Sequence, residues 1–117
     1  MESTSGKVIV DADYSGTLAK ILQTCIHSDL PSLEVAADIL GTSPRTLQRR
    51  LQERGSTYRR VLAEAQFELS RQLLDSGDFS ITEIAHETGY EIPSNFTRAF
   101  RRLAGMNPTQ YQRRNLP

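Results

Sequence analysis

Apolar residues along this chain recur every three or four positions and hardly ever alternate, so the pattern predicts helices and no convincing strand. Leu18, Ile21, Leu22, Cys25 and Ile26 form a first stripe, on a helix from Ser15 or Gly16 to about His27, and all five are expected in the core. Tyr58, Val61 or Leu62, Ala65, Leu69 and Leu73 line one face of a single long helix from Thr57 to about Ser76. Phe96, Ala99, Phe100 and Leu103 share one face of a later helix, and Ser94, Asn95, Thr97, Arg98, Arg101 and Arg102 take its other faces.

Breakers and caps set the ends. Pro31-Ser32 opens a helix with Ser32 as N-cap and Glu34 in the first turn, where a carboxylate complements the helix dipole. Ser43-Pro44 repeats the device as cap plus first-turn proline, and Gly55 ends that helix. Ser80-Ile81-Thr82-Glu83 has the spacing of a capping box, Gly89 permits a positive φ in the turn that follows, and Gly105 stops the next helix. Asn107-Pro108 caps a short final helix through Tyr111 to about Arg114. The expectation is an all-α chain of about seven helices.

The helices contain a duplication. Val35 to Leu51 aligns without a gap on Ile84 to Phe100, forty-nine residues later. Each copy reads as a short apolar helix with alanine at a tight contact, a turn, and a second helix starting at proline, which is the plan of a helix-turn-helix. Two such motifs joined by the long helix suggest a bipartite DNA site. The expected organisation is a lead-in or the stump of a preceding domain over 1–14, a first helix-turn-helix subdomain over 15–56, the bridging helix over 57–76, and a second subdomain over 77–117. The short run Val8-Ile9-Val10 and the acidic linker after it favour an excised C-terminal domain over a complete small protein.

Charge sharpens this picture. The chain is formally neutral, but residues 1–43 carry two lysines against six acids, net −4, and residues 44–117 carry twelve arginines against eight acids, net +4. Positive charge therefore travels with the second helices of the two motifs, where phosphate and base contacts would be made. With 117 residues, a large catalytic core is not expected. No run matches the ~18 apolar residues of a membrane span. The N-terminus lacks the layout of a secretory signal, so the expected location is cytoplasmic. One cysteine excludes an intrachain disulfide and a thiolate metal cluster. No metal, cofactor or enzymatic activity is expected: His86-Glu87 lacks the second histidine of a zinc-protease motif, and Cys25 and His27 have no further ligand nearby.

Leu47-Gln48-Arg49-Arg50-Leu51, Ile84-Ala85, Gly89-Tyr90, Pro93-Ser94, Phe96 through Arg102, Gly105 and Pro108-Thr109-Gln110-Tyr111 together resemble the DNA-binding domain of AraC/XylS-type bacterial transcription regulators. The resemblance spans about Ser15 to Arg114. It implies two helix-turn-helix subdomains in successive major grooves, a separate sensing domain in many members, and contact with RNA polymerase where a member activates. Gln66, Ile92, Ala104 and Gln112 depart from the family pattern. Gln66 replaces a common arginine and its ion pair, and Ile92 has no side chain able to cap the helix after it.

In a helix that enters the groove, residues near its N-terminus face base edges and later ones reach the backbone. The base-reading candidates are Arg45, Gln48 and Arg49 in the first motif and Ser94, Asn95, Thr97 and Arg98 in the second. Arg49 suits guanine, Gln48 suits adenine, and Arg98 aligns with Arg49. Arg50, Arg54, Arg101 and Arg102 are the phosphate candidates. The aromatic residues are expected in the core or at its rim. No segment builds the largely apolar pocket of about 300 Å³ that a small effector needs. The expected partner is double-stranded DNA, and the alternative is a helical interaction module docking an acidic protein.

Overall fold

The structure, a computed structural model, describes residues 14–27 and 29–115. The lead-in over 1–14, with Val8-Ile9-Val10, lies outside them except for Tyr14. Among the described residues there are seven helices and no strand: α1 Tyr14–Cys25, α2 Leu33–Ile39, α3 Pro44–Glu53, α4 Tyr58–Ser76, α5 Ile81–Glu87, α6 Pro93–Ala104 and α7 Pro108–Asn115.

The chain divides into two compact units. Residues 14–25 and Pro31–Ala65 make the first; Ile26–Leu30 and residues 66–115 make the second, so the division falls inside α4. The stripe expected along that helix is corrected accordingly. Val61 and Ala65 are buried in its first half and Gln66, Ser70 and Leu74 in its second, while Leu69 and Leu73 are half-buried. A helix that serves two cores cannot do so with one straight stripe, and the buried track steps from position 65 to 66 where the units change.

The first unit is aliphatic inside. Its buried side chains include Leu18, Leu22, Ala36, Ala37, Leu47 and Leu51, with Tyr14 at the start of α1. Ile21 and Cys25, also expected in the core, are only half-buried, whereas Ile26, just past the end of α1 at Cys25, is buried. A polar contact braces the unit. Tyr58 Oη donates to Pro31 O at 2.7 Å, pinning the segment that leads into α2. Burial, with Cys25 adding to it, pushes the Tyr58 hydroxyl up to about 12.

The second unit is aromatic inside. Leu74, Ile84, Ala85, Phe96 and Phe100 form its buried cluster, and Phe67, Phe79, Tyr90 and Tyr111 pack against it. Phe100 is the hub, with ring centroids 5.1 Å from Phe67, 5.8 Å from Phe96 and 5.5 Å from Tyr111. Such tilted and edge-on pairs exceed what area alone provides, by about 0.5–1.5 kcal/mol each. Leu103, expected on the same face, is 48% exposed, since it lies on the last turn of α6.

The duplication is real but not gap-free. Ser32 and Ser80 are the N-caps of α2 and α5, and each accepts from a backbone N–H three residues on. Gly41 and Gly89 end the two helices with φ of +70° and +91°. Thr42 N–H donates to Ala37 O and Tyr90 N–H to Ala85 O, both at 2.9 Å. All of these pairs are forty-eight apart. The N-caps of the second helices, Ser43 and Ile92, are forty-nine apart. The second turn therefore holds one residue more. The shift explains why Val35 and Ile39 are 49% and 48% exposed: their counterparts are Glu83 and Glu87, not buried Ile84 and Thr88.

Candidate nucleic-acid interface

In both motifs the second helix is anchored by two apolar residues four apart, and this anchoring decides what faces solvent. Leu47 and Leu51 are fully buried on α3, and Phe96 and Phe100 nearly so on α6. At 3.6 residues per turn, Arg45, Gln48 and Arg49 are left on one outward face of α3, and all three are exposed, as is Arg50. On α6 the same logic exposes Ser94, Asn95, Arg98, Arg101 and Arg102, whereas Thr97 is half-buried at the edge.

The start of α3 is built for a proline-led helix. Ser43 Oγ accepts from Thr46 N–H at 3.1 Å, and Pro44 occupies the first helical position, where an N–H would be unsatisfied anyway. Helix α6 also begins with a proline, but its N-cap Ile92 makes no side-chain bond and is 55% exposed. Gly105, at φ +80°, closes its other end.

Two of the reading candidates are held by neighbours on their own helix. Arg98 donates to Asn95 Oδ1 at 3.0 Å. Arg49 pairs with Glu53 at 3.6 Å, both side chains about 60% exposed, so the pair orients the guanidinium without withdrawing it from solvent. Arg102 lies close enough to Tyr90 to act on its hydroxyl, which burial nevertheless pushes up overall. Arg54 differs from the other phosphate candidates. Its guanidinium donates to Arg50 O at 2.9 Å and sits 5.0 Å from the centroid of the Tyr14 ring, so it helps to close α3 within the first unit.

The second motif is fastened to the bridging helix by a residue whose role was not legible in the sequence. Gln66 is buried and its amide donates to Thr88 O at 2.9 Å, at the C-cap of α5. A neutral hydrogen bond thus stands where the family resemblance would place an arginine. Gln112, another departure, donates to Leu74 O at 3.3 Å, and Ala104 packs against the aromatic cluster.

The charge of the surface is divided along the same lines. α6 carries three arginines and no acid, and α3 carries three arginines and Glu53. The first helices are acidic outside. An open cleft of about 350 Å³ is lined by Glu83, His86, Glu87 and Glu91 among others, and one of about 450 Å³ by Glu34, Val35, Asp38, Thr42 and Pro44. Carboxylates of this density repel phosphate and leave the basic faces as the nucleic-acid candidates. Among the described residues no group of three or more His, Cys, Asp or Glu could hold a metal ion, and no helix is long and apolar enough to cross a membrane.

A pair of proline-led helices, each seated on two apolar anchors and presenting an arginine-rich face after a glycine turn, defines a duplicated helix-turn-helix domain. A family model described as a helix-turn-helix domain matches residues 36–114. The ornithine utilization regulator of Pseudomonas aeruginosa is 42% identical over 84 residues, which is 72% of this chain and 25% of that protein. Among solved structures, a DNA-binding transcriptional dual regulator from Escherichia coli K-12 matches with a TM-score of 0.78 and 31% identity, over 86% of this chain and 90% of that one. A transcriptional regulator from Chromobacterium violaceum with an AraC-type DNA-binding domain shares the fold, with a TM-score of 0.75 at 23% identity over 89% and 94% of the two chains. The chain belongs to this helix-turn-helix family and is a DNA-binding domain of the AraC/XylS type. It spans about a quarter of the length of the curated regulators it matches.

Proposed function

We propose that this chain reads a specific double-stranded DNA sequence for a bacterial transcription regulator, with α3 and α6 in successive major grooves. The observation that carries the reading is the orientation of the two helices in their own units: burial of Leu47 and Leu51, and of Phe96 and Phe100, turns an arginine- and amide-bearing face outward in each. The division of labour is a first subsystem over 15–56, a bridge over 57–76 and a second subsystem over 77–117.

Base reading falls to Arg45, Gln48 and Arg49 in one half-element and to Ser94, Asn95, Thr97 and Arg98 in the other. Phosphate contact falls to Arg50, Arg101 and Arg102. Arg54 is the weakest phosphate candidate because its guanidinium already closes α3. We place the chain in the cytoplasm and propose that it binds DNA without a small effector. An activator of this type would have RNA polymerase as its further partner.

The test is a set of binding isotherms for Arg49→Ala, Arg98→Ala and Arg101→Ala on a preferred and a random duplex at several salt concentrations. Loss of a base contact should cost about 1–3 kcal/mol on the preferred duplex and relax selectivity in one half-element. Arg101→Ala should weaken both duplexes alike and flatten the salt dependence by roughly one unit of slope. Unchanged binding by all three variants would contradict the reading and favour an interaction module docking an acidic protein.

A further inference from the structure

Three of the four helices in the two motifs begin with a serine whose hydroxyl accepts a backbone N–H: Ser32 from Val35, Ser43 from Thr46 and Ser80 from Glu83. The fourth, α6, begins with Ile92. Its side chain makes no cap and it is 55% exposed, the highest value among the exposed large apolar side chains of the described residues. A single exposed aliphatic needs no explanation by itself. This one forgoes a stabilising side-chain cap at the end of the helix that would enter the groove. It also adjoins exposed Pro93, Ser94 and Asn95, in a turn one residue longer than that of the first motif. Polar side chains there would serve both stability and solubility, so an aliphatic group at this spot answers to something else.

We infer that Ile92 is a specificity residue that reads a thymine, by packing its aliphatic side chain against the C5 methyl group in the half-element bound by α6. This inference rests on the DNA-reading function proposed above. The major groove offers one apolar feature to a protein, the thymine methyl, and apolar side chains near the start of a reading helix are suited to it. Position 43, the counterpart in the first motif, carries a serine engaged in capping, so the two half-elements differ in chemistry: one is read by polar groups alone, the other by polar groups and one apolar contact. The site should accordingly be asymmetric in its demand for thymine.

Replacing thymine by deoxyuridine removes that methyl and leaves every hydrogen-bonding edge intact. Binding of the chain is measured by fluorescence anisotropy on its preferred duplex, with each thymine replaced in turn. The α6 half-element is located beforehand as the one where Arg98→Ala relaxes selectivity. A single thymine there should be sensitive, its replacement weakening binding roughly fourfold, the equivalent of about 0.8 kcal/mol for one buried methyl group. Ile92→Ser should bind the thymine and deoxyuridine duplexes equally, at the strength the parent shows on deoxyuridine, and Ile92→Val should keep most of the difference. Thermal unfolding of Ile92→Ser should move upward, because the new hydroxyl can cap α6, so weaker binding would not reflect a damaged fold. Sensitivity that persists in Ile92→Ser, or no sensitive thymine in that half-element, would overturn the inference and leave DNA reading intact. A chain with no preferred duplex would overturn both.

Discussion

Among single residues, those that determine this molecule are mostly polar groups placed where they release or fix something larger. Gln66 is the clearest case. Its amide satisfies the carbonyl of Thr88 at the end of α5, a group that would otherwise be buried near the turn of the second motif. Tyr58 plays the matching part in the first unit through Pro31. Replacing Tyr58 by Phe should cost about 1 kcal/mol by removing that bond. It should also remove a pH dependence. The folded hydroxyl titrates at about 12 against an ordinary 10.0, so the unfolded chain loses its proton first. Stability from this group is complete below pH 10 and declines as pH rises toward 12. Chemical denaturation across that range should show a steeper alkaline loss in the parent than in Tyr58→Phe, and equal slopes would contradict the assignment.

Single residues also mark the limit of what sequence conveys. The reading candidates were legible because helical spacing and the anchors Leu47, Leu51, Phe96 and Phe100 leave little choice of face. Thr97 was placed with them but is half-buried, and Arg54, assigned to phosphate, leans on Tyr14 and on the end of its own helix. Sequence could not reveal the second case, because a guanidinium has reach enough for either role and tertiary placement decides between them.

At the scale of elements, helix ends were legible and helix faces less so. Ser32, Ser43, Ser80 and Asn107 cap as their types and spacings suggest, with Ser80 and Glu83, and likewise Asn107 and Gln110, forming reciprocal boxes. These bonds are local, so a few consecutive residues determine them. The stripe on α4 depends on two cores at once, and a periodic pattern read along one helix has no means of registering the step at position 66. The one-residue difference between the turns was hidden for a related reason: an ungapped match of apolar letters pairs Val35 with Ile84, although φ angles and caps pair Val35 with Glu83.

The turns offer a test at this scale. Gly41 and Gly89 occupy equivalent places with positive φ, but an added Cβ meets nothing within 4 Å at Gly41 and runs into the Leu30 side chain at Gly89. Both Gly→Ala changes should be destabilising by about 1–2 kcal/mol from backbone strain. Gly89→Ala should cost more, and the excess should shrink when Leu30 is also Ala, since the obstacle is then gone. A double-mutant cycle by urea denaturation measures the coupling. Additive effects at positions 30 and 89 would contradict the packing described for this turn.

For the whole molecule, neutrality conceals function. Net charge alone would argue against a nucleic-acid partner, yet α2 and α5 carry four acids and no arginine, whereas α3 and α6 carry six arginines and one acid. Duplication then supplies a feature that no single motif has, two basic faces of different chemistry in one chain. Both faces are proposed to read DNA as parts of one monomer. Selection of bound sequences from a random duplex pool tests this most directly, with stoichiometry measured on the duplexes recovered. One chain per duplex is expected on an asymmetric site, with two dissimilar half-elements about 10 bp apart. A palindrome bound by two chains, or enrichment of one half-element alone, would contradict it.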